Sequence, residues 1–119
     1  MCSIILLRNP HNLIIATNRD ELLDRPSEGP KIRKEGQLKN FSPQDISKGG
    51  TWLGLNEMGL FAGITNRYTP SPNKALKSRG IITKKALESS SPSEAINKLE
   101  TGLNNKIRVK DPIKYRANF

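Results

Sequence analysis

Residues 49–66, namely Gly49-Gly50-Thr51-Trp52-Leu53-Gly54-Leu55, then Asn56-Glu57-Met58-Gly59, then Leu60-Phe61-Ala62-Gly63-Ile64-Thr65-Asn66, decide the fold. Two apolar runs flank a four-residue segment whose glycine can take positive φ, so the stretch reads as strand, tight turn, strand. Toward the N-terminus, residues 3–7 and 12–17 are Ile- and Leu-rich runs separated by Arg8-Asn9-Pro10-His11-Asn12. They predict a first hairpin of buried strands. Between the two hairpins, Pro26, Pro30 and Pro43 interrupt a segment rich in Gly, Lys and Ser from Asp24 to Ser47. That segment is expected to be loop, with at most a short strand.

Beyond residue 66 the pattern turns helical. Ile81, Ile82, Ala86 and Leu87 lie among basic residues and predict a helix over 77–89. Ser91-Pro92-Ser93-Glu94 has the form of a capping box with proline at the first helical position. It predicts a second helix with Ile96, Leu99 and Leu103 on one face. A short strand is expected at Ile107 to Val109, and the stop at Phe119 resembles an interrupted domain. Strands followed by helices give an α+β class, an antiparallel sheet covered by helices, in a single domain over 1–119.

The chain has 119 residues, 34% hydrophobic and 26% charged, which suits one domain with a modest core. Residues 1–66 carry eight basic and seven acidic side chains, whereas 67–119 carry twelve and four, so +8 of the net charge of +9 resides in the second half. Basic helix faces without an aromatic stacking platform are solvated surface, and no nucleic-acid partner is expected. A single cysteine excludes an intramolecular disulfide and a thiolate zinc centre built from this chain alone. Neither apolar N-terminal run is long enough to span a bilayer, and no signal peptide is visible. The expected location is the cytosol.

Cys2 is the sharpest chemical feature. A small second residue favours removal of the initiator methionine, which leaves a thiol and a free α-amine on one residue. An α-amine of pKa about 7.7–8.0 can act as base toward a thiol of pKa about 8.5. Asn18, Arg19 and Asp20 end the strand that pairs with the one beginning at Cys2, so a hairpin brings the two ends together. A carboxylate there could hold the α-ammonium, and a guanidinium could lower the thiol pKa or dock an acidic group. Asn66 ends the last strand similarly, and its amide could donate to an oxyanion. Trp52 and Phe61 read as core, and His11 as a surface turn residue. Gly49-Gly50 lacks the lysine and helix context of a phosphate loop.

Met1-Cys2, Asn18-Arg19-Asp20-Glu21 with Arg25-Pro26, Gly49-Gly50-Thr51-Trp52-Leu53-Gly54, Thr65-Asn66 and Arg79-Gly80 together resemble the NRDE family, which includes transport and Golgi organisation 2 homologues. That resemblance implies roles in trafficking and in haem or lipid handling. Residues 54–60 with Asn66 are also similar to the Gly-x-Asn-Glu-x-Gly-Leu…Asn stretch of choloylglycine hydrolases and penicillin V acylases. These are N-terminal nucleophile (Ntn) hydrolases with an α-β-β-α sandwich. Carried over, the resemblance implies Cys2 as nucleophile, Asp20 as holder of the α-amine, Asn66 as oxyanion donor and cleavage of non-peptide C–N amide bonds without metal or cofactor. Their arginine precedes the aspartate by three residues, a position held here by Thr17. Here the candidate is Arg19, which an ideal strand would point away from Asp20. Those families have about as much chain again, which implies that this chain forms the N-terminal half of the sandwich. A half sandwich has an open sheet able to self-associate. The expected partner is a small amide or lipid-like ligand, and the rival expectations are a non-enzymatic binder and an inactive truncated homologue.

Overall fold

The computed structural model describes residues 2–65 and 78–103. It is an α+β arrangement of two antiparallel sheets and two helices. β1 (Ser3–Arg8) and β2 (Leu13–Asn18) form a two-stranded sheet in which Ser3 pairs Asn18 and Arg8 pairs Leu13. The Asn9 side chain accepts from the amides of His11 and Asn12 and so fixes the turn. A second sheet has the order β3 (Ser27–Glu35), β4 (Leu38–Asp45), β5 (Leu53–Asn56), β6 (Phe61–Gly63). α1 (Gly80–Leu87) packs on β5 and β6, and α2 (Pro92–Leu103) packs on α1. The expected short strand at 107–109 lies outside the described residues.

Both expected hairpins form, with two corrections. Residues 24–47 are not loop: β3 and β4 make a third hairpin that turns at Gly36, whose φ of 59° favours glycine. The prolines are tolerated because the β3–β4 register breaks between Glu28 and Lys31, around Pro30 and opposite Pro43, where a missing N–H forfeits no ladder bond. The first hairpin, expected to be buried, is wet: Ile5, Leu6, Leu7, Leu13 and Ile14 are each more than half exposed. Alternation and β-branching select the strand, but they do not supply the layer that covers it.

The core lies elsewhere and is small. Leu60, Ala86 and Ala95 are buried together with Ala62 and Leu99 against them, and Leu87 is fully buried over Gly54. On α2 the buried face is therefore Ala95 and Leu99, not Ile96, which is exposed. Of the expected face Ile96, Leu99 and Leu103, Leu99 packs inward in an i,i+4 pair with Ala95, and the Leu103 side chain lies outside the described residues. The capping box is also redirected. The Glu94 amide donates to the Ser91 hydroxyl, but the Glu94 carboxylate accepts from the Ser90 amide and hydroxyl.

Lys98 first, and then Ser90, hold the Glu94 carboxyl down at about 2, against an ordinary 4.5. A depressed carboxyl pKa stabilises the fold fully above pH 4.5, and that contribution fades as the pH falls through about 2. An NMR titration of the Glu94 carboxyl should place its midpoint near 2, and a midpoint at 4.5 would show the helix start untied.

Candidate functional site

The first hairpin delivers two of the expected residues to one place. Because Ser3 pairs Asn18, Cys2 and Arg19 leave the ribbon side by side. The Cys2 thiol donates to the Asp20 backbone carbonyl, at 3.7 Å between sulfur and oxygen. Arg19 lies past the end of β2 and does not follow strand alternation. Its guanidinium carbon sits 4.3 Å from the centroid of the Trp52 ring, and a terminal nitrogen is 3.9 Å from Glu21. Trp52 is thus not the plain core residue expected. It is half-buried, and the Arg19 guanidinium lies over its ring.

Arg25 anchors this segment to the large sheet. Its two terminal nitrogens reach Glu21 at 2.6 Å and Asp45 at 2.5 Å. Burial opposes its charge, but Asp45 and Glu21 more than offset that, and its pKa is raised. The other Asp45 carboxylate oxygen accepts from the Lys48 amide, while the Asp45 backbone exchanges hydrogen bonds with Gly49 and Gly50. One buried carboxylate therefore fixes both the start of the Gly49-Gly50 segment and the segment that carries Arg19.

Gly50 and Gly80 complete the arrangement. A Cβ on Gly50 would stand 2.6 Å from the Gly80 carbonyl carbon, and the Thr51 amide donates to the Gly80 carbonyl at 3.2 Å. Only backbone without a Cβ permits that approach, which sets the first turn of α1 against the Gly49-Gly50 segment. Between these pieces lies a cavity of about 100 Å³, lined by Cys2, Arg19, Thr51, Trp52, Ser78 and Arg79. Glu21, Arg25 and Asp45 also reach its wall.

Asp20 is exposed, contributes its backbone carbonyl to Cys2 and is not without a further partner in the structure. Asn66 and Met1 lie outside the described residues. Sequence reasoning did not place Arg25, Asp45, Ser78 or Arg79 at the site. The signal that could have found them was the spacing of Arg25-Pro26, Gly49-Gly50 and Arg79-Gly80, three short motifs that converge only in space. Among the described residues, no group of His, Cys, Asp and Glu could hold a metal ion, and no helix is long and apolar enough to cross a membrane.

A family model described as Transport and Golgi organisation 2 matches residues 1–110, a range that includes every residue lining the cavity. The chain belongs to this family. Its Bos taurus relative, a Transport and Golgi organization protein 2 homolog, is 32% identical over 84 residues, covering 69% of this chain and 30% of the relative. The Homo sapiens homolog is 33% identical over 75 residues, covering 61% and 27%. The matched stretch thus covers less than a third of the length of these curated relatives. No solved structure matches.

Proposed function

We propose that the chain carries an N-terminal-cysteine amide-hydrolase site that acts on non-peptide C–N amide bonds, with Cys2 as nucleophile. The observation that carries this is the joint lining of one cavity by the Cys2 sulfur and the Arg19 guanidinium, beside the start of α1. A fixed cation beside the reacting centre stabilises the negative charge that develops as a carbonyl is attacked. After loss of Met1, the free α-amine takes the thiol proton and the sulfur bonds to the amide carbonyl carbon. The tetrahedral intermediate collapses with cleavage of the C–N bond as the α-ammonium protonates the departing amine. Water then attacks the thioester, releasing the acid and restoring the thiol. In this proposal Asp20 holds the α-amine and Asn66 donates to the oxyanion.

Intact mass and alkylation test it together. The purified chain should lack Met1, and at the same pH Cys2 should react with iodoacetamide faster in the folded chain than in the urea-unfolded chain. Retention of Met1 ties the amine into a peptide bond and ends the proposal. A second reading is a non-catalytic carrier of a lipid-like ligand or haem. It is favoured by Leu22 and Leu23, 72% and 106% exposed beside the cavity residue Glu21. An inert thiol combined with ligand-dependent thermal stabilisation would select it.

A further inference from the structure

The two faces of the large sheet are finished differently. One carries Ser42, Gly54 and Asn56 and lies under α1: a Cβ on Gly54 would meet Leu87 and Ser42, and Asn56 donates to the Leu87 and Ser89 carbonyls. On the other face the register lines up Ile32, Phe41, Leu55 and Phe61 as one apolar row across β3, β4, β5 and β6. Ile32 and Phe41 are more than half exposed, and Leu55 is 45% exposed. The ribbon of β1 and β2 meets this same face at Gly63, where Ile4 Cδ1 lies 2.9 Å from the position a Cβ would take. Ile4 thus marks the inward side of the ribbon, and the pairing gathers Ile5, Leu7, Ile14 and Ala16 on its outward side. All four are exposed, and the one charged residue of the two strands, Arg8, shares the inward parity of Ile4. Strands apolar on both sides, as Ile4-Ile5-Leu6-Leu7 and Leu13-Ile14-Ile15-Ala16 are, have the composition of a layer covered on both faces.

We propose that two copies of the chain associate about a two-fold axis by exchanging these surfaces, the outward face of each ribbon packing on the Ile32-Phe41-Leu55 row of the other. The two ribbons then form a shared middle layer between the two large sheets. A single apolar patch of about 300 Å² is ordinary on a monomer, but the exchange buries two from each copy, about 1,200 Å² in all, which is where stable interfaces begin. Neither patch contains a charged side chain, so no ion is desolvated at the centre of the contact. Lys34 and Lys39, paired directly across β3 and β4 on the side of the row, stand at its margin. Contact therefore brings together like charges of two chains that each carry +9, and association should strengthen with salt, the reverse of an interface made by ion pairs. The exchange closes at two copies, whereas pairing along the open edges of the ribbon would not. It requires neither the nucleophile nor loss of Met1, so it stands or falls apart from the hydrolase proposal.

Sedimentation equilibrium of the unaltered chain at about 100 µM, in about 0.02 M and about 0.5 M NaCl, tests it. A dimer is expected, at least about threefold tighter at the higher salt. Leu7→Glu on the ribbon and Ile32→Lys on the row alter positions that are exposed in the single chain, so each should keep its circular dichroism spectrum. Each should raise the dissociation constant at least about 30-fold. Mixing the two variants should restore a dimer, because one supplies an intact row, the other an intact ribbon, and the two new charges are opposite. Ile96→Lys, at an exposed apolar position on α2, should leave the dimer as it is. A chain that stays monomeric at both salts overturns the proposal. So do assemblies that keep growing beyond two copies, a dimer that weakens with salt, loss of the dimer in Ile96→Lys, and a mixture that stays monomeric. Ile32→Lys dimerising while Leu7→Glu does not would mean ribbon on ribbon and also overturns it. Should a variant lose its fold, hydrogen exchange of the unaltered chain decides: raising the concentration should slow exchange in β1, β2 and β5 but not in α2, and exchange independent of concentration overturns the proposal.

Discussion

Gly50→Ala is expected to lower the melting temperature by about 10–20 °C and to abolish the reactivity proposed for Cys2. The new methyl group would meet the Gly80 carbonyl carbon at 2.6 Å and the Gly80 Cα at 2.8 Å. Both atoms are backbone, so no side-chain rotation relieves the clash. Either α1 moves away from the Gly49-Gly50 segment or the segment bends, and both break the hydrogen bond from the Thr51 amide to the Gly80 carbonyl. Overpacking of this kind costs about 3 kcal/mol, a large part of a total stability of roughly 5–15 kcal/mol. Each kcal/mol is worth about 4–8 °C in a domain of 60–100 residues. The cavity opens at the same time, because Gly50, Thr51, Ser78 and Gly80 all line it. Two neighbouring comparisons separate crowding from loss of glycine. Gly49→Ala meets nothing within 4 Å but has a φ of 69°, so it should cost about 1 kcal/mol. Gly29→Ala meets nothing and has no such φ, so it should stay within about 0.5 kcal/mol of the unaltered chain. Melts by circular dichroism that rank Gly50→Ala with Gly29→Ala would refute the proposed backbone contact.

Asn56→Ala should be of similar severity, about 3 kcal/mol, without touching the cavity. Asn56 is 4% exposed and uses both ends of its amide. Nδ2 donates to the Leu87 carbonyl at 3.0 Å and the Ser89 carbonyl at 2.7 Å, which are carbonyls at the end of α1 that no helical partner reaches. Oδ1 accepts from the Met58 and Leu60 amides and so shapes the β5–β6 turn. Truncation leaves buried backbone groups without partners, each worth about 1–3 kcal/mol. Asn56→Asp should be no better at neutral pH, since a carboxylate would face two carbonyl oxygens. Hydrogen exchange should show the loss first at the C-terminal end of α1. Urea midpoints unchanged in both variants would mean that the helix is held by its apolar face alone.

The Asn56 network also explains why residues 49–66 were so informative in one respect and silent in another. The turn at Asn56-Glu57-Met58-Gly59 is legible because its chemistry is local: a side-chain acceptor followed by a glycine with φ 79°. The donors on the same side chain reach 31 and 33 residues along the chain, and nothing in the local sequence announces that. β3 and β4 were missed for the opposite reason. Their prolines and charges resemble a loop, yet Glu28 pairs with Lys31 and Arg33, Arg33 donates to the Ser42 carbonyl, and the register break absorbs Pro30. At the site, the adjacency of Cys2 and Arg19 followed from hairpin geometry. The opposite wall did not, because Asp45, Thr51 and Arg79 arrive from separate elements and meet only through glycine contacts and the Arg25 clasp.

The wet ribbon of β1 and β2 gives the two walls of the cavity unequal rigidity. Trp52, Thr51 and Arg79 stand on a frame stapled by Arg25, Asn56 and the crossing of two glycines. The sulfur stands on a mount whose leucines and isoleucines face solvent, with Ile4 reaching across toward Gly63. Segments with few buried apolar contacts occupy the low-stability end of a structure. The distance from sulfur to guanidinium is therefore set by the softer partner. Any agent that squeezes apolar surface out of water, such as sulfate salts or sucrose, should therefore stiffen the support of Cys2 more than the opposing wall.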